Sequence, residues 1–196
     1  MALSFRPIGP DDQAFLLEVY ASTRREELVL VDWDEDEKAR FLQMQFAAQH
    51  QYYQDYYTET DFLIILLDEL PVGRLYLARW PGEIRIVDLA LLPAHRNAGI
   101  GTRILSDMLA EATLAGKPVR IHVEKLNPAL RLYERLGFTR IADKGVYWFL
   151  EWVSRCPSPI RHKSPRSAGP PRRRRWAPEI DLTPLSSDAL PGRSSG

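Results

Sequence analysis

Apolar residues in the first 152 positions follow two different spacings. Short apolar runs, some of them alternating with polar residues, predict strands, and apolar residues three or four positions apart predict helices. The strand pattern occurs at residues 3–8, 61–67, 72–80, 83–92, 119–123, 138–142 and 146–152. The helical pattern follows Pro10, then runs over residues 34–56, 100–116 and 127–136. This order predicts a mixed α/β fold whose strand–helix–strand crossovers come late in the chain.

Local signals set several of the predicted element ends. Asp34 and Glu37 have the spacing of a capping box at the start of the second helix. Asp68 and Glu69 separate two apolar runs and predict a hairpin. Residues 22–33 have a mixed pattern that assigns them to no element. The predicted apolar face of the second helix consists of Phe41, Met44 and Ala48.

The neutral net charge of the chain conceals a division between two regions. Residues 153–196 contain nine Lys or Arg and three acidic residues, so this tail carries +6 and residues 1–152 carry −6. The tail also holds 8 of the 15 prolines and few apolar residues. Such a composition cannot bury enough surface to offset the entropy of ordering. We therefore predict one folded domain over residues 1–152 and a disordered tail over residues 153–196.

Several classes of protein are not expected from the composition. The sequence has no apolar run of about 18 residues, as a membrane span requires, and no basic-then-apolar leader at its start. The single cysteine, Cys156, excludes an internal disulfide, and the four histidines lack metal-ligand spacing. We expect a cytoplasmic monomer or homodimer that needs no metal and no membrane.

Residues 88–102 join a strand to a helix through a loop that contains two glycines. Because Gly99 and Gly101 carry no Cβ, their backbone N–H groups can approach a ligand closely. The helix start adds free amides and a partial positive charge, which predict a phosphate or pyrophosphate site with Arg96 at its rim. A tight strand-to-helix turn is an alternative interpretation of the same glycines. Neither the P-loop lysine nor the third glycine of the dinucleotide fingerprint is present.

The remaining pattern, Arg96-x-x-Gly99-x-Gly101, resembles the pyrophosphate loop of the GNAT superfamily of acetyl-CoA-dependent N-acetyltransferases. Residues 127–138 read Asn-Pro-Ala-Leu-Arg-Leu-Tyr-Glu-Arg-Leu-Gly-Phe and are similar to the Asn-x-Ala-x-x-x-Tyr-x-x-x-Gly-Phe segment of many members. The resemblance covers residues 3–152. It implies the GNAT fold, a mixed α/β (α+β) arrangement with a central sheet of six to seven strands and about four helices. The pyrophosphate loop is expected between strand 4 and helix 3.

The resemblance further implies acetyl-CoA as the co-substrate. Its pantetheine arm is expected along the parting edges of the fourth and fifth strands, at Leu89, Ala90 and Leu91, with an N–H near Leu91 as the oxyanion donor. Asn127 matches a family position that contacts pantetheine or caps a helix, and an asparagine before proline is equally a good N-cap. The residues expected to hold the pyrophosphate are Arg96, Asn97, Ala98, Gly99, Ile100, Gly101 and Thr102.

Tyr133 matches the tyrosine commonly assigned as the acid that protonates the coenzyme A thiolate. A phenol with an ordinary pKa of about 10 suits that role, but a core aromatic is the alternative because apolar residues share its helical face. The base stays open. His122 can accept the ammonium proton or can be a packed strand histidine. Glu124 shares its face and is the second candidate, and Asp88 is the third.

Together these motifs predict an N-acetyltransferase that moves an acetyl group from acetyl-CoA directly to a primary amine. The acceptor is a small molecule, peptide or protein, and the first two helices, residues 22–33 and the turn near Val146 are expected to select it. Two alternatives stay open: a non-catalytic acyl-CoA-binding module, and a nucleic-acid-associated protein that uses arginines 172–175 with Trp176. We do not expect nucleic acid as a partner, because no nucleic-acid-binding motif accompanies the arginines.

Overall fold

The computed structural model describes residues 2–57 and 59–154. Its strands are β1 (Leu3–Pro7), β2 (Thr60–Leu67), β3 (Leu70–Trp80), β4 (Glu83–Leu91), β5 (Val119–Glu124), β6 (Thr139–Lys144) and β7 (Tyr147–Trp152). Its helices are α1 (Gln13–Leu28), α2 (Glu35–Tyr56), α3 (Ile100–Ala115) and α4 (Leu130–Arg135). Two single 3₁₀ turns, Pro10–Asp12 and Pro93–His95, precede α1 and the glycine loop.

The seven strands form one sheet in the order β1-β2-β3-β4-β5-β7-β6. Every neighbouring pair is antiparallel except β4 and β5, which are parallel and are joined through α3. The predicted mixed sheet, the four helices and the position of the glycine loop between β4 and α3 are confirmed. The Asp34–Glu37 capping box and the hairpin turn at Asp68 and Glu69 are also observed.

The parallel pair separates soon after it begins. Its register runs only from Ile84 opposite Val119 to Ile86 opposite Ile121. One residue later, the pairing of β3 with β4 skips Val87 and resumes at Asp88, which is a β-bulge. Bulges increase the local twist of a strand. The carboxyl ends of β4 and β5 therefore part, and a gap opens in the middle of the sheet.

The two faces of the sheet differ in character. One face packs against α3 and α4 in an apolar core that includes Leu77, Ile86 and Leu105. Each such side chain contributes about 1.5–3 kcal/mol on full burial. The other face lies under α1 and α2, where Leu16 and Phe46 form a smaller cluster with β2. This second face also carries several buried charges, which are described below.

Residues 22–33, which the sequence left unassigned, are helical as far as Leu28, and the hydroxyls of Ser22 and Thr23 bond to carbonyls of the preceding turn within α1. One expectation from the sequence needs correction. The apolar face assigned to α2 is wrong, since Met44 is 63% exposed and Ala48 is exposed. The buried residues of α2 are Phe46 and Gln49. A pattern of apolar residues alone could not identify a face that buries a glutamine.

Among the described residues, no helix combines the length and the apolar composition needed to cross a membrane. Residues 155–196 lie outside the described part of the chain, and so do Cys156 and the arginines at 172–175. The disorder predicted for the tail therefore stays a prediction.

Candidate active site

The glycine loop presents backbone amides at the gap between β4 and β5. Asn97 and Gly99 take left-handed conformations, with φ of 59° and 82°, and α3 begins at the next residue. The first bond within α3 runs from the Arg103 amide to the Gly99 carbonyl, at 3.0 Å. The amides of residues 100–102 precede that bond and point out of the helix start. Their N–H groups and the helix dipole favour an anion at this position.

Arg96 connects the loop to its surroundings. Its Nε donates to the Leu91 carbonyl at 2.8 Å, and a terminal nitrogen donates to the Ser22 hydroxyl at 3.0 Å. The guanidinium thus fastens the loop to the end of β4 and to α1, while the residue as a whole stays exposed. These bonds give Arg96 a structural role that the sequence did not indicate, and its role at the rim of an anion site stays a prediction.

The segment of β4 expected to bind pantetheine lies very close to a glycine of the neighbouring strand β3. On one side, Leu89, Ala90 and Leu91 pair with β3, and on the other side β4 has already left β5. A Cβ on Gly73 of β3 would lie 2.3 Å from the Ala90 carbonyl oxygen and 2.8 Å from a Leu91 methyl carbon. Only glycine allows the two strands to approach so closely here. Gly73 belongs to no motif that would mark it in the sequence as part of this site.

Tyr133 projects from α4 into the apolar core and is 4% exposed. Its ring makes an edge contact with Phe138, with 5.4 Å between centroids. Burial raises the pKa of Tyr133 well above its usual value, and the negative charge of Asp88 raises it further. The phenol therefore stays protonated at neutral pH. Its core packing agrees with the core-aromatic interpretation, and a role as an acid stays a prediction.

A buried ion pair lies beside the gap, and the sequence did not indicate it. Arg74 of β3 is 3% exposed and donates to Asp88 Oδ2 at 2.6 Å and to Gln49 Oε1 of α2 at 3.0 Å. Its guanidinium carbon also lies 5.3 Å from the ring centroid of Tyr76. The available signal was one charged residue on each of two adjacent strands. The turn signal at Pro81 and Gly82 predicts that these two strands are neighbours, but nothing in the sequence shows that the two charges share a face.

The hydrogen bonds around Arg74 are incomplete within the described part of the chain. Its Nε is buried without a partner, and so is the hydroxyl of Tyr76, which is 0% exposed. This hydroxyl lies close enough to the Arg74 charge to interact with it, but it has no hydrogen bond of ordinary geometry. Burial is the larger effect and raises the pKa of Tyr76 to about 12. Buried polar groups of this kind need an explanation beyond packing.

His122 and Glu124 lie on the same face of the sheet as Asp88, as the strand registers require. The His122 ring stacks on Phe149 with 4.4 Å between centroids. Burial lowers the pKa of His122 to about 4, helped by the positive charges of Arg85 and Lys144. Glu124 accepts from Arg24 of α1 at 3.2 Å. Burial and nearby positive charges therefore disfavour protonation of His122, and one oxygen of Glu124 is occupied by Arg24.

Asn127 lies before α4, in the turn after β5. Its Oδ1 accepts from the Ala129 amide at 2.8 Å, and its carbonyl accepts from the Leu130 amide. This contact agrees with the capping interpretation of Asn127. A contact with pantetheine stays a prediction.

The acidic residues near the start of α2 have structural partners. Asp34 and Glu37 form the capping box, and Glu35 pairs with Lys38. Glu27 of α1 pairs with Arg24. Four acidic residues between positions 27 and 37 thus have partners within the protein.

An open strand edge and a helix start with free amides lie at one gap in the sheet. Together they suit a long ligand that carries an anionic group at one end. The model of the acetyltransferase (GNAT) family matches residues 21–138. This match covers more than half of the chain, and the chain belongs to that family of acyltransferase enzymes.

Solved structures support the same fold. The PaiA N-acetyltransferase of Thermoplasma acidophilum, solved in complex with coenzyme A, is 17% identical, with a TM-score of 0.60 over 79% of this chain and 100% of that chain. An acetyltransferase of Thermus thermophilus is 20% identical, with a TM-score of 0.56 over 79% of this chain and 98% of that chain. No curated protein sequence matches the chain.

Proposed function

We propose that this protein transfers an acetyl group from acetyl-CoA to a primary amine by direct attack within a ternary complex. The observation that carries the proposal is the gap between β4 and β5, which opens beside the free amides at the start of α3. A thioester carrier with a diphosphate at one end and a thin amide-containing arm at the other fits these two features. The diphosphate needs amides, and the arm needs an unpaired strand edge.

The proposed binding mode assigns one task to each part of the site. The loop residues from Arg96 to Thr102 surround the diphosphate, with backbone N–H groups as donors. Leu89, Ala90 and Leu91 bond to the pantetheine arm as a neighbouring strand would, and the N–H near Leu91 stabilises the oxyanion. Asn127 lies where the arm would pass.

Tyr133 is the proposed acid. As the carbon–sulfur bond breaks, its electron pair goes to sulfur, and the phenolic proton of Tyr133 neutralises the thiolate. The raised pKa of Tyr133 suits this step, because the proton is present at neutral pH when the leaving group needs it. Direct attack is proposed rather than a covalent enzyme intermediate. The single cysteine, Cys156, follows the matched family region, and no other thiol is available.

We place the whole catalytic unit within residues 1–152, as the sequence composition suggests. The described elements end with β7, whose pairing with β5 and β6 completes the sheet. The acceptor is assigned to the side of the sheet covered by α1 and α2, where the charged and aromatic side chains lie.

The first experiment measures thiol release from acetyl-CoA with a panel of amines, amino acids and peptides. Thr102→Glu tests the anion site, because Thr102 is in the first turn of α3, where a carboxylate stabilises the helix but repels a diphosphate. The repulsion is on the order of 1–3 kcal/mol, so the KM for acetyl-CoA should rise about tenfold or more.

Ser106→Glu is the matched control, with the same added charge one turn further along the exposed surface of α3. It should leave the KM for acetyl-CoA nearly unchanged. If no amine in the panel releases thiol, or if both variants bind acetyl-CoA as the original protein does, the proposal is wrong.

A further inference from the structure

Helix α2 has one face turned to the sheet and an opposite face that is open to solvent. Phe46 and Gln49 are buried on the inner face. On the opposite side, exposed residues recur three or four positions apart, and this spacing places them in one stripe along a helix. We call this stripe the outer face of α2, and it consists of Arg40, Met44, Ala47, Ala48, Gln51 and Asp55.

The outer face lacks the charges that an ordinary solvent-facing helix carries along its length. Residues 41–54 include no Asp, Glu, Lys or Arg, although a chain that is 27% charged would place about four there. The spacing of Met44 and Ala48 in the sequence is that of a packed face, yet Met44 is 63% exposed and the alanine is exposed too. An uncharged and exposed stripe on a long helix is typical of a surface that contacts another protein.

Each end of the outer face carries one charge that has no ion-pair partner among the described residues. Nε of Arg40 donates to the backbone carbonyl of Asp36 at 3.2 Å. Oδ1 of Asp55 accepts from the Gln51 side chain at 2.8 Å. Neither contact neutralises the charge. The two end charges are therefore available to a partner that presents the opposite charge at each end.

The order of residues along the outer face is complementary to its own reverse. Arg40 and Asp55 lie equally far from the midpoint between Ala47 and Ala48, at about 11 Å along the helix axis. A second α2 that runs antiparallel across this midpoint would present its Asp55 to Arg40 and its Arg40 to Asp55. A parallel second helix would place like charges together. The alanine methyl groups at the crossing would let the two axes approach to about 8 Å.

We propose that the outer face of α2 binds the same face of a second copy of this chain, with the two helices antiparallel about a two-fold axis. Two-fold symmetry makes the contact self-complementary, so Arg40 pairs with Asp55 at both ends. Met44 packs beside Gln51 of the second copy, and the alanines meet at the centre. This surface lies outside the proposed active site, and the inference does not depend on acetyl transfer.

The proposed contact is small. A contact between one helix of each copy is expected to bury less than about 1,200 Å², the lower limit of standard interfaces. Its ion pairs lie at the rim, where salt screens them. We expect a dissociation constant on the order of 10 μM at low ionic strength and a weaker dimer at high salt. The inner face of α2, where Gln49 accepts from Arg74, is not part of the contact.

The test measures the mass of the full chain by analytical ultracentrifugation from about 1 to about 200 μM protein. The original protein should change from monomer to dimer over this range. Arg40→Glu places two acids opposite each other at both ends of the contact, and Asp55→Arg does the same with arginines. Each variant should raise the dissociation constant about tenfold or more.

An exchange of charges tests the antiparallel register. The double variant, Arg40→Glu with Asp55→Arg, restores opposite charges at both ends and should dimerise within about threefold of the original dissociation constant. This recovery would also show that the single variants fail to pair for want of complementary charge and not for want of folding. Arg131→Glu is the matched control, because Arg131 is an exposed arginine of α4 on the other side of the sheet, and it should leave the dissociation constant unchanged.

Four results would overturn the inference. The original protein could stay monomeric at every concentration. A dimer that neither single variant weakens would use another surface of the chain. If the double variant stays as weak as the single variants, the antiparallel register is wrong, and if Arg131→Glu weakens the dimer equally, the effect is one of overall charge. The measurement involves no acyl transfer, so failure of this inference and failure of the proposed function are distinguishable.

Discussion

Replacement of Tyr133 by phenylalanine removes one oxygen atom from the proposed active site. The ring keeps its place, since its edge contact with Phe138 and its burial among apolar side chains do not involve the hydroxyl. The side chain is 4% exposed, so the change adds no solvent-exposed apolar surface. The variant therefore separates the chemistry of the phenol from its packing.

The expected effects on stability and on turnover differ greatly in size. Loss of a buried hydroxyl should alter the free energy of unfolding by about 1 kcal/mol or less. Loss of a general acid should lower kcat about 10²–10⁴-fold, which corresponds to about 3–5 kcal/mol of transition-state stabilisation. Because burial and Asp88 raise the pKa of Tyr133, the original activity should not decline from loss of this proton between about pH 6 and pH 9.

The assay combines thiol release with calorimetric titration of coenzyme A. Tyr133→Phe should bind coenzyme A with nearly unchanged affinity and should unfold at nearly the same temperature, yet it should release thiol slowly. Leu130→Met serves as a control for small changes in the packing of α4. Full turnover by Tyr133→Phe would show that the tyrosine is only a core aromatic and would refute the assignment of an acid.

Three further outcomes test other parts of the structure. Gly73→Ala should weaken acetyl-CoA binding and lower the melting temperature, because its Cβ would meet the Ala90 carbonyl at 2.3 Å; Gly82→Ala, with open space around it, should do neither. In chemical denaturation, the free energy of unfolding should fall less between pH 7 and pH 5 in His122→Gln than in the original protein, by about 1–2 kcal/mol. The pKa of His122 is about 4 in the folded protein and about 6.5 in the unfolded chain, so its contribution to stability is complete above pH 6.5 and declines as the pH falls. An equal fall in both proteins would contradict a lowered pKa of His122. Deletion of residues 155–196 should leave kcat/KM for acetyl-CoA unchanged, and a large fall would place part of the site in the tail.

Much of the fold could be predicted because the strands and helices have strong periodicity. The limits of β2, β3, β4 and β7 differ from the predicted ones by only a few residues. The end of α1 was less clear, since Ser22 and Thr23 interrupt the apolar pattern and the structure satisfies both hydroxyls within the helix. The adjacency of β2, β3 and β4 could be predicted from their short turns, but the full strand order could not. The position of β7 between β5 and β6 depends on pairing between distant residues.

The loop and Tyr133 could be proposed from the sequence because each belongs to a contiguous motif. The Arg74–Asp88 pair could not, because its two residues come from different strands and its third member comes from α2. Gln49 illustrates the difficulty. A polar residue in a helix is normally assigned to the solvent side, yet Gln49 is 5% exposed because Arg74 needs an acceptor there. Buried polar partners can be identified only after the elements are placed.

The skipped residue Val87 links the fold to the proposed chemistry. Before the bulge, Ile84 and Ile86 point into the apolar core, and strict alternation would send residue 88 there as well. The extra residue shifts the alternation of side chains between the two faces of the sheet by one position. Leu89 and Leu91 then pack on the apolar core, and Asp88 turns to the opposite face beside Arg74. In the sequence, the core-facing apolar residues of β4 accordingly change from even-numbered to odd-numbered positions. The same bulge separates β4 from β5, so a single residue both opens the gap and directs a carboxylate to its edge.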